Sequence, residues 1–409
     1  MNREAGPPGV TVPARRVLVV SHDPAFPPIS GADLRNYRNA EAAAAFGPVL
    51  LVSVRPQAIV AKPPGALIRT EALSIAGEAR SGSIGWWRTR AEHRISRAAL
   101  ARLEALVGEF RPDTILVEGI ALFKLLRPLR PLTKRLILDM HNVESDLAGQ
   151  LRRAEAAGSR LAAISTALGI RRLERKALSL VDRVWVCSNR DREKLMALSR
   201  HNVPVDVVPN GIPPTGNGPQ CLPADAATDS GFPAILFVGH LAYPPNVDAA
   251  TRLASMILPR IRRALPGATL TLAGRSPKPA VRTLAALPGV HLLEDPQDVA
   301  PLLSRAHLSI IPLAAGGGTR IKILEAMASG VPVIATPLAA EGLDLIENEE
   351  VLLSVTDEGL AELAIGLCFD PERRARQRIR AHQAVWARFG PQAIGNAVRD
   401  GLGLDEAAA

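Results

Sequence analysis

Short apolar runs alternate with longer stretches of helical periodicity along the chain. In the first half these runs are rich in Val, Ile and Leu and contain few polar positions, which is typical of strands buried on both faces of a sheet. They cover residues 16–20, 49–54, 114–117, 135–139, 184–186 and 205–208. Helical patterns separate them, for example over residues 91–109 and 161–180. This alternation predicts βαβ units in a parallel sheet.

The pattern is interrupted once and then starts again. Between residues 204 and 233 Pro and Gly are frequent and apolar periodicity nearly disappears, which predicts a linker. Further apolar runs follow at residues 234–239, 269–274, 290–293, 308–312 and 332–335. We predict an α/β protein with two doubly wound, Rossmann-like domains that face a central cleft. The predicted parts are a first domain (1–208), a linker (209–233), a second domain (234–380) and a C-terminal helix that crosses back (381–409).

Composition places the chain among ordinary globular proteins. Of its 409 residues, 47% are hydrophobic and 22% are charged, which excludes global disorder. No apolar run approaches the roughly 20 residues of a membrane-spanning helix, and the first residues lack the apolar segment of a signal peptide. The three cysteines form no CxxC pattern, which indicates a reducing compartment rather than a disulfide scaffold or zinc site. We expect a cytoplasmic protein.

The charge balance is compatible with an anionic partner, and the alternative is simply an Arg-rich composition. The net charge of +9 is suited to a nucleotide, a nucleic acid or an anionic membrane. One basic segment carries adjacent tryptophans, and its candidate membrane-contacting residues are Trp86, Trp87, Arg88, Arg90 and Arg94. This pattern suits peripheral attachment to the inner face of a membrane; the alternative is a helix with buried tryptophans and solvated arginines. Because no recognition module is present, we expect no nucleic-acid binding.

The most informative segment follows the strand pattern at residues 308–312. It begins with three consecutive glycines, Gly316, Gly317 and Gly318, which let a backbone approach a ligand closely. Thr319 is placed to cap the helix that follows, whose N–H groups and dipole form an anion site. Arg320 and Lys322 put cations in the first turn, where the helix dipole disfavours them. An anion bound between them would explain that placement.

Glu325 lies further along the same predicted helix. It stands about 8–10 Å beyond the glycines, the distance from a diphosphate to the ribose of the same ligand, and a carboxylate is a good acceptor for paired hydroxyls. The alternative is an ordinary glycine loop with a surface pair between Lys322 and Glu325. The segment lacks the Gly-Lys-Ser/Thr of a P-loop. The first strand is not followed by GxGxxG, which disfavours a dehydrogenase.

Residues 316–333 resemble the nucleotide-sugar signature of retaining glycosyltransferases with the GT-B architecture, specifically glycosyltransferase family 4. Other segments resemble family motifs and occur in the family's order: 28–35, 138–144, 186–188, 208–212, 237–241 and 272–275. The resemblance covers roughly residues 15–390 and implies the GT-B fold. It also implies that the second domain binds a nucleotide-diphosphate sugar as co-substrate and that the first domain binds the acceptor.

The resemblance implies transfer of a glycosyl group to a hydroxyl of a lipid-linked or saccharide acceptor, with retained anomeric configuration. The expected setting is bacterial polysaccharide or glycolipid synthesis. No Asp-x-Asp motif is present, so we expect no metal and no cofactor besides the co-substrate. A GT-B nucleotide-sugar epimerase and a non-catalytic nucleotide-sugar-binding protein remain as alternatives.

The resemblance also assigns site residues. It implies that His141 contacts the transferring sugar, that Arg320 and Lys322 stabilise the leaving diphosphate, and that Glu325 holds the ribose. The donor-binding set is Gly31, Gly239, Arg275, Gly316, Gly317, Gly318, Thr319, Arg320, Lys322, Glu325 and Glu341. From position alone, His141 ends an apolar run where α/β sheets place ligands, although a lone histidine is often structural. Gly31 brings a backbone near the ligand or forms a simple turn.

Two departures from the family pattern bear on the donor site. Members commonly have two glutamates separated by seven residues; Glu325 matches the second, and the first falls on Gly317. We expect backbone amides of residues 317–319 to substitute for the missing carboxylate. Many members also have Gly-Arg and a later Lys after the first strand of the second domain. This chain has Gly239-His240 and Tyr243-Pro244-Pro245-Asn246 there.

Overall fold

The computed structural model describes residues 14–56, 62–73, 95–154, 160–198, 202–213, 218–223, 233–317 and 320–404. The predicted membrane-contacting residues Trp86, Trp87, Arg88, Arg90 and Arg94 lie outside these ranges, as do Gly318 and Thr319. Within the described part of the chain, no helix is both long enough and apolar enough to span a membrane.

The first domain is built on a parallel sheet with the strand order β3-β2-β1-β4-β5-β6-β7. Its strands are β1 (Val17–Ser21), β2 (Val49–Ser53), β3 (Ile68–Ala72), β4 (Thr114–Glu118), β5 (Arg135–Met140), β6 (Arg183–Val186) and β7 (Val205–Val207). The apolar runs of the first half all fall on these strands. Edge strand β3 was not predicted, because only Ile68 of its residues is buried and no apolar run marks it.

Helices cover both faces of this sheet, as a doubly wound fold requires. They are α1 (Gly31–Ala43), α2 (Arg97–Phe110), α3 (Phe123–Leu129), α4 (Glu144–Ala154), α5 (Arg160–Leu178) and α6 (Asn189–Leu198). The predicted start of α2 at residue 91 was wrong, because residues 95 and 96 precede the helix. Ser96 is its N-cap, and its hydroxyl accepts a hydrogen bond from the Ala99 amide at 3.0 Å.

The second domain repeats the plan with the strand order β10-β9-β8-β11-β12-β13. Its strands are β8 (Ala234–His240), β9 (Thr269–Arg275), β10 (Val290–Glu294), β11 (Leu308–Ile311), β12 (Val333–Ala335) and β13 (Leu352–Leu353). Its helices are α7 (Pro244–Arg252), α8 (Leu258–Ala264), α9 (Pro279–Arg282), α10 (Ala300–Leu303), α11 (Ile321–Ala328), α12 (Pro337–Ala340), α13 (Asp357–Phe369) and α14 (Pro371–Phe389). Two doubly wound parallel sheets confirm the predicted fold class.

The last helix, α15 (Pro391–Gly401), belongs to the core of the first domain. Ile394 and Val398 are buried in the same cluster as Tyr37 of α1, and the Trp185 indole donates to the Gly401 carbonyl at 3.2 Å. Helix α14 packs instead in the core of the second domain, where Phe389 is buried. The chain therefore crosses between the domains at Gly390, and these two helices join them.

Candidate active site

At the carboxyl edge of the second sheet, two glycines leave the backbone without covering side chains. Gly239 of β8 and Gly274 of β9 are register partners there. Gly274 has a φ of +156°, and a Cβ on it would collide with the Gly239 carbonyl. A Cβ on Gly239 would lie 2.9 Å from the Lys322 Nζ. Glycine at both positions thus leaves room for the Lys322 ammonium at the edge where α/β sheets bind ligands.

Lys322 is the second residue of α11, and its ammonium is held by uncharged groups. Nζ donates to Oδ1 of Asn246 at 2.8 Å and lies 4.3 Å from the ring centroid of Phe237, within range of a cation–π interaction. Burial and, to a lesser extent, Arg320 lower the pKa of Lys322 to about 7, and Glu325 opposes the change. A bound anion would reverse this shift, because an opposite charge favours the protonated amine.

Arg320 lies directly before the first residue of α11 and contacts the glycine loop. It is the N-cap of α11, so the prediction that Thr319 caps this helix was wrong. The Arg320 guanidinium turns back to the glycine loop and donates to the Gly317 carbonyl, and a Cβ on Gly316 (φ +147°) would lie 3.1 Å from it. Burial lowers the pKa of Arg320, and this is opposed first by Tyr243. Arg320 therefore holds the glycine loop, and its charge also acts on Lys322.

Glu325 is half-buried one turn after Lys322 on α11. Burial raises its pKa to about 7, Asp298 adds to the rise, and Lys322 opposes it. Among the described residues no ion pair joins Glu325 to Lys322, whose hydrogen bond goes to Asn246. The described residues therefore do not form the surface pair of the alternative interpretation, since the Lys322 ammonium bonds to Asn246.

In the first domain, His141 follows β5 and lies between two carboxylates. Its Nδ1 is 3.7 Å from the Glu118 carboxylate at the end of β4, and its Nε2 is 3.7 Å from the Asp139 carboxylate. Only 15% of the His141 side chain is exposed. The two carboxylates therefore flank both ring nitrogens and restrict the orientation of the imidazole.

Asp139 is fully buried and serves as an anchor. Arg35 of α1 pairs with it at 2.6 Å, and Asn39 donates to it at 3.2 Å. The same Arg35 donates to the Val208 carbonyl at 2.6 Å and to Asn210 at 3.0 Å. Sequence reasoning missed Arg35 and Glu118. The available signals were that Glu118 directly follows the apolar run 114–117 and that Arg35 lies in the family-like segment 28–35.

Gly31 begins α1 and faces the second domain. A Cβ on Gly31 would lie 3.1 Å from Cδ1 of Ile321, the first residue of α11. The start of α1 is fixed by a capping box in which Ser30 and Asp33 bond each other's backbone amides. Burial raises the pKa of Asp33 to about 6. The close approach at Gly31 is thus to the helix that carries Lys322 and Glu325.

Side chains of the first domain also contact the glycine loop. A Cβ on Gly317 would lie 2.8 Å from Oδ1 of Asn142, whose Nδ2 donates to Glu144 at 3.2 Å. Gln150 of α4 accepts a hydrogen bond from the Gly316 amide at 3.3 Å. The space beside Gly317, where the family pattern has a glutamate, is therefore occupied by Asn142.

The two remaining predicted donor residues lie at the rim. Glu341, which follows α12, is 2.8 Å from Arg190 and 3.5 Å from Lys194, both on α6 of the first domain. It is an ion-pair partner between domains. Arg275 is exposed at the end of β9 beside His240, whose pKa is lowered by burial and by Arg275.

A groove of about 420 Å³ opens from this interface along the first domain. It is lined by α4, α5 and α6, with Ala167, Leu168, Ala197 and Leu198 as its apolar wall and Arg171 as a cation. Val143, Asp146 and Lys194 also line a small cavity that reaches Gly317 and Glu341. The groove therefore leads towards the glycine loop.

Comparisons with known proteins agree with this geometry. Residues 30–211 match the model of the "Glycosyl transferase 4-like domain", and residues 232–369 match that of "Glycosyl transferases group 1". Two curated glycogen synthases, from two strains of Mycobacterium tuberculosis, are each 27% identical over 208 residues, which is 47% of this chain and 47% of theirs. The chain spans about half the length of these curated relatives.

Solved structures show the same fold at low identity. Sucrose-phosphate synthase from Thermosynechococcus elongatus aligns with 97% of this chain and 100% of its own, with a TM-score of 0.75 and 18% identity. Anabaena HepE in complex with UDP and glucose aligns with 95% of this chain and 99% of its own, with a TM-score of 0.66 and 14% identity. The family matches confirm the resemblance: the chain belongs to the GT-B glycosyltransferases that combine a glycosyl transferase 4-like domain with a glycosyl transferases group 1 domain.

Proposed function

We propose that this glycosyltransferase moves a sugar from a nucleoside-diphosphate sugar to an acceptor hydroxyl, with retained anomeric configuration and without a metal ion. The observation that carries the proposal is the Lys322 ammonium, held by neutral groups beside the bare backbone of Gly239 at the start of α11. A diphosphate placed there meets a cation and a helix N-terminus together. The UDP bound by the relative HepE makes a uridine nucleotide the first donor to test.

Charge stabilisation on the leaving diphosphate is the main catalytic task in this proposal. As the bond to the sugar breaks, negative charge grows on the diphosphate, and Lys322 is fixed in place to meet it. Arg320 contributes by holding the Gly316–Gly317 loop. For retention, the acceptor hydroxyl attacks on the face that the diphosphate leaves, and the diphosphate accepts its proton. No protein nucleophile takes part.

The other site residues contact different parts of the donor. Glu325, further along α11, accepts hydrogen bonds from the paired hydroxyls of the donor ribose. His141 contacts the transferring sugar from the first domain, oriented by Glu118 and Asp139. With Asn142 beside Gly317, backbone amides of the glycine loop take the place of the absent carboxylate.

The groove between α4, α5 and α6 is the proposed entrance for the acceptor. It leads towards Gly317, so a hydroxyl at its inner end comes near the transferring sugar. Its apolar wall with Arg171 suits an acceptor that carries apolar and acidic parts. A lipid-linked saccharide in polysaccharide or glycolipid synthesis has this chemistry, and a peripheral membrane location would follow from it.

The test is product analysis with a panel of UDP-, GDP- and ADP-sugars, with and without candidate acceptors. We expect sugar transfer only when an acceptor is present, α-linked product from an α-linked donor, and full activity in EDTA. Conversion of donor alone to an epimer would indicate the epimerase alternative. Nucleotide binding without turnover of any pair would favour the non-catalytic alternative, and loss of activity in EDTA would remove the metal-independent mechanism.

A further inference from the structure

Asn246 is a nearly buried amide whose two ends are both engaged. Its Oδ1 accepts from the Lys322 ammonium at 2.8 Å, and its Nδ2 donates to the His240 carbonyl at 3.0 Å. Only 7% of the residue is exposed. Its own amide donates to the Tyr243 carbonyl at 2.9 Å, at the start of α7 after two prolines. Backbone and side chain are therefore fixed together.

The groups around Lys322 hold its ammonium without neutralising it. Strand β8 contributes the Phe237 ring and the Gly239 backbone, and α7 contributes the Asn246 amide. The ionisable groups that act on its titration are Arg320 and Glu325, next to and within its own helix. A carboxylate at the place of Asn246 would form a closed ion pair. An amide oxygen orients the amine and leaves its charge for a ligand.

We propose that Asn246 is a positioning residue that aims the Lys322 ammonium across Gly239 at the donor diphosphate. This inference rests on the proposed function, because it assumes that Lys322 meets the diphosphate. In this proposal, the residues between β8 and Asn246 contain no cation because their role is to hold the cation of another helix. The cation comes from α11, and this segment supplies its support.

Two substitutions of Asn246 distinguish a positioning role from a role in packing alone. Asn246→Asp has nearly the same shape but puts a carboxylate beside Lys322, so the ammonium forms an ion pair that a diphosphate must break. An opposite charge at hydrogen-bonding distance raises the pKa of an amine, so the pKa of Lys322 should rise in this variant. Asn246→Ala removes the acceptor, and the flexible lysine stem loses its fixed direction. Asp248→Asn, on the exposed side of the same helix, is the matched control.

The experiment measures the affinity of the full chain for UDP, GDP and ADP by calorimetry between pH 6 and 9. It also follows Lys322 directly by NMR titration of its ammonium in the ligand-free protein. We expect affinity for the preferred diphosphate to fall at least tenfold in both Asn246 variants and to stay unchanged in Asp248→Asn. We expect the Lys322 titration to move upward in Asn246→Asp.

The outcomes distinguish the two proposals. If the wild type binds none of the three diphosphates, the proposed function fails, while the Lys322 titration in Asn246→Asp still decides whether Asn246 controls this lysine. If the wild type binds and both Asn246 variants bind equally well with an unmoved Lys322 titration, the positioning role is overturned alone. Lower thermal stability with unchanged affinity and titration would assign Asn246 to packing and also overturn it.

Discussion

The two domains share one folding plan, yet the edges that face the cleft handle buried charge in opposite ways. At the edge of the first domain the charges are paired: Arg35 and Asp139 are both buried and lie 2.6 Å apart. At the edge of the second domain Lys322 is held by an amide and an aromatic ring, and its hydrogen bond goes to no carboxylate. The first arrangement neutralises its charge within the protein, whereas Lys322 has no carboxylate partner among the described residues.

This contrast distinguishes side chains that fix the structure from a side chain that is proposed to act on the ligand. A buried ion pair with further hydrogen bonds fixes geometry, and removing one partner leaves an uncompensated charge. The Arg35–Asp139 pair therefore orients His141 and the ends of β5 and β7. A cation held by neutral groups keeps its electrostatic potential for a ligand. If the two edges divide the work in this way, substitutions at the second edge should affect turnover and donor affinity most.

The largest effect is expected at Lys322. Lys322→Ala removes the cation that faces the developing charge, so turnover should fall by roughly 100-fold or more, since one such group contributes about 3 kcal/mol. The fold should persist, because Lys322 pairs with a neutral amide. Rate measurements with the preferred donor check this against Lys278→Ala, an exposed lysine of the same domain. Equal rates in the two variants would remove Lys322 from the diphosphate site.

His141 should affect the sugar and not the nucleotide. His141→Ala removes a hydrogen bond to the transferring sugar, and we expect turnover to fall about 10–100-fold, corresponding to about 1.5–3 kcal/mol. Affinity for the free nucleoside diphosphate should not change, because the proposed nucleotide site lies on the second domain. Calorimetry with the diphosphate and rate measurements with the donor check both. His291→Ala, on the exposed side of β10, is the control.

If His141→Ala weakened diphosphate binding as much as turnover, the division between the two edges would be wrong. Unchanged turnover would make His141 a structural residue of the Arg35–Asp139 network. Asp139 contacts both His141 and Arg35, so a change at His141 can also disturb the buried ion pair. A stability measurement on the variant distinguishes damage to that network from loss of a substrate contact.

Glu325 should show a smaller and more selective effect. Glu325→Gln keeps the shape and one acceptor oxygen but loses the charge, so the paired ribose hydroxyls are held less well and affinity should fall about tenfold. The variant should also discriminate less between a ribonucleoside diphosphate and its 2′,3′-dideoxy analogue. Calorimetry with both ligands and both proteins checks this. Equal discrimination by wild type and variant would show that Glu325 does not bind the ribose.

The sequence predicted most of the fold because buried parallel strands are continuous apolar runs. It missed β3, where one residue is buried, and β13, which has two residues. Both are edge strands whose existence depends on pairing with a neighbour. It placed the N-cap of α11 one residue early, at Thr319, because Arg320 caps the helix with its backbone and is not a residue type that marks a cap.

The sequence predicted the site residues that lie close together in one segment. It did not predict contacts between residues that are far apart in the chain. Lys322 and Glu325 stand on one helix beside the glycines, so spacing alone relates them. Asn246 is 76 residues from Lys322, and Arg35 is 104 residues from Asp139. No local pattern records such contacts, which depend on strand order. Glu341 was predicted as a donor residue from its position after a strand pattern. That position did not reveal its pairing with α6 of the first domain.

The last prediction concerns stability and not ligand binding, at Glu174 on α5, a buried carboxyl in the first domain. One oxygen accepts from the Ser145 amide at 3.1 Å, and the other has no hydrogen-bond partner among the described residues. Burial raises the pKa of Glu174 to about 7, whereas burial lowers the pKa of Lys322. Between pH 4.5 and 7 the unfolded state loses this proton first, so the free energy of unfolding falls as pH rises. For Lys322 the unfolded state keeps its proton longer, so its contribution rises with pH between 7 and 10.5.

Glu174→Gln keeps the acceptor oxygen and removes the titration. We therefore expect wild type and variant to have similar stability at pH 5, where Glu174 is protonated in the folded state. At pH 8 the variant should be more stable by about 1–3 kcal/mol, because a tenfold difference in proton affinity between the folded and unfolded states corresponds to about 1.4 kcal/mol. This gain should raise Tm by a few degrees, and thermal unfolding of both proteins at the two pH values checks it. A difference in stability that does not change with pH would show that Glu174 does not titrate between pH 5 and pH 8.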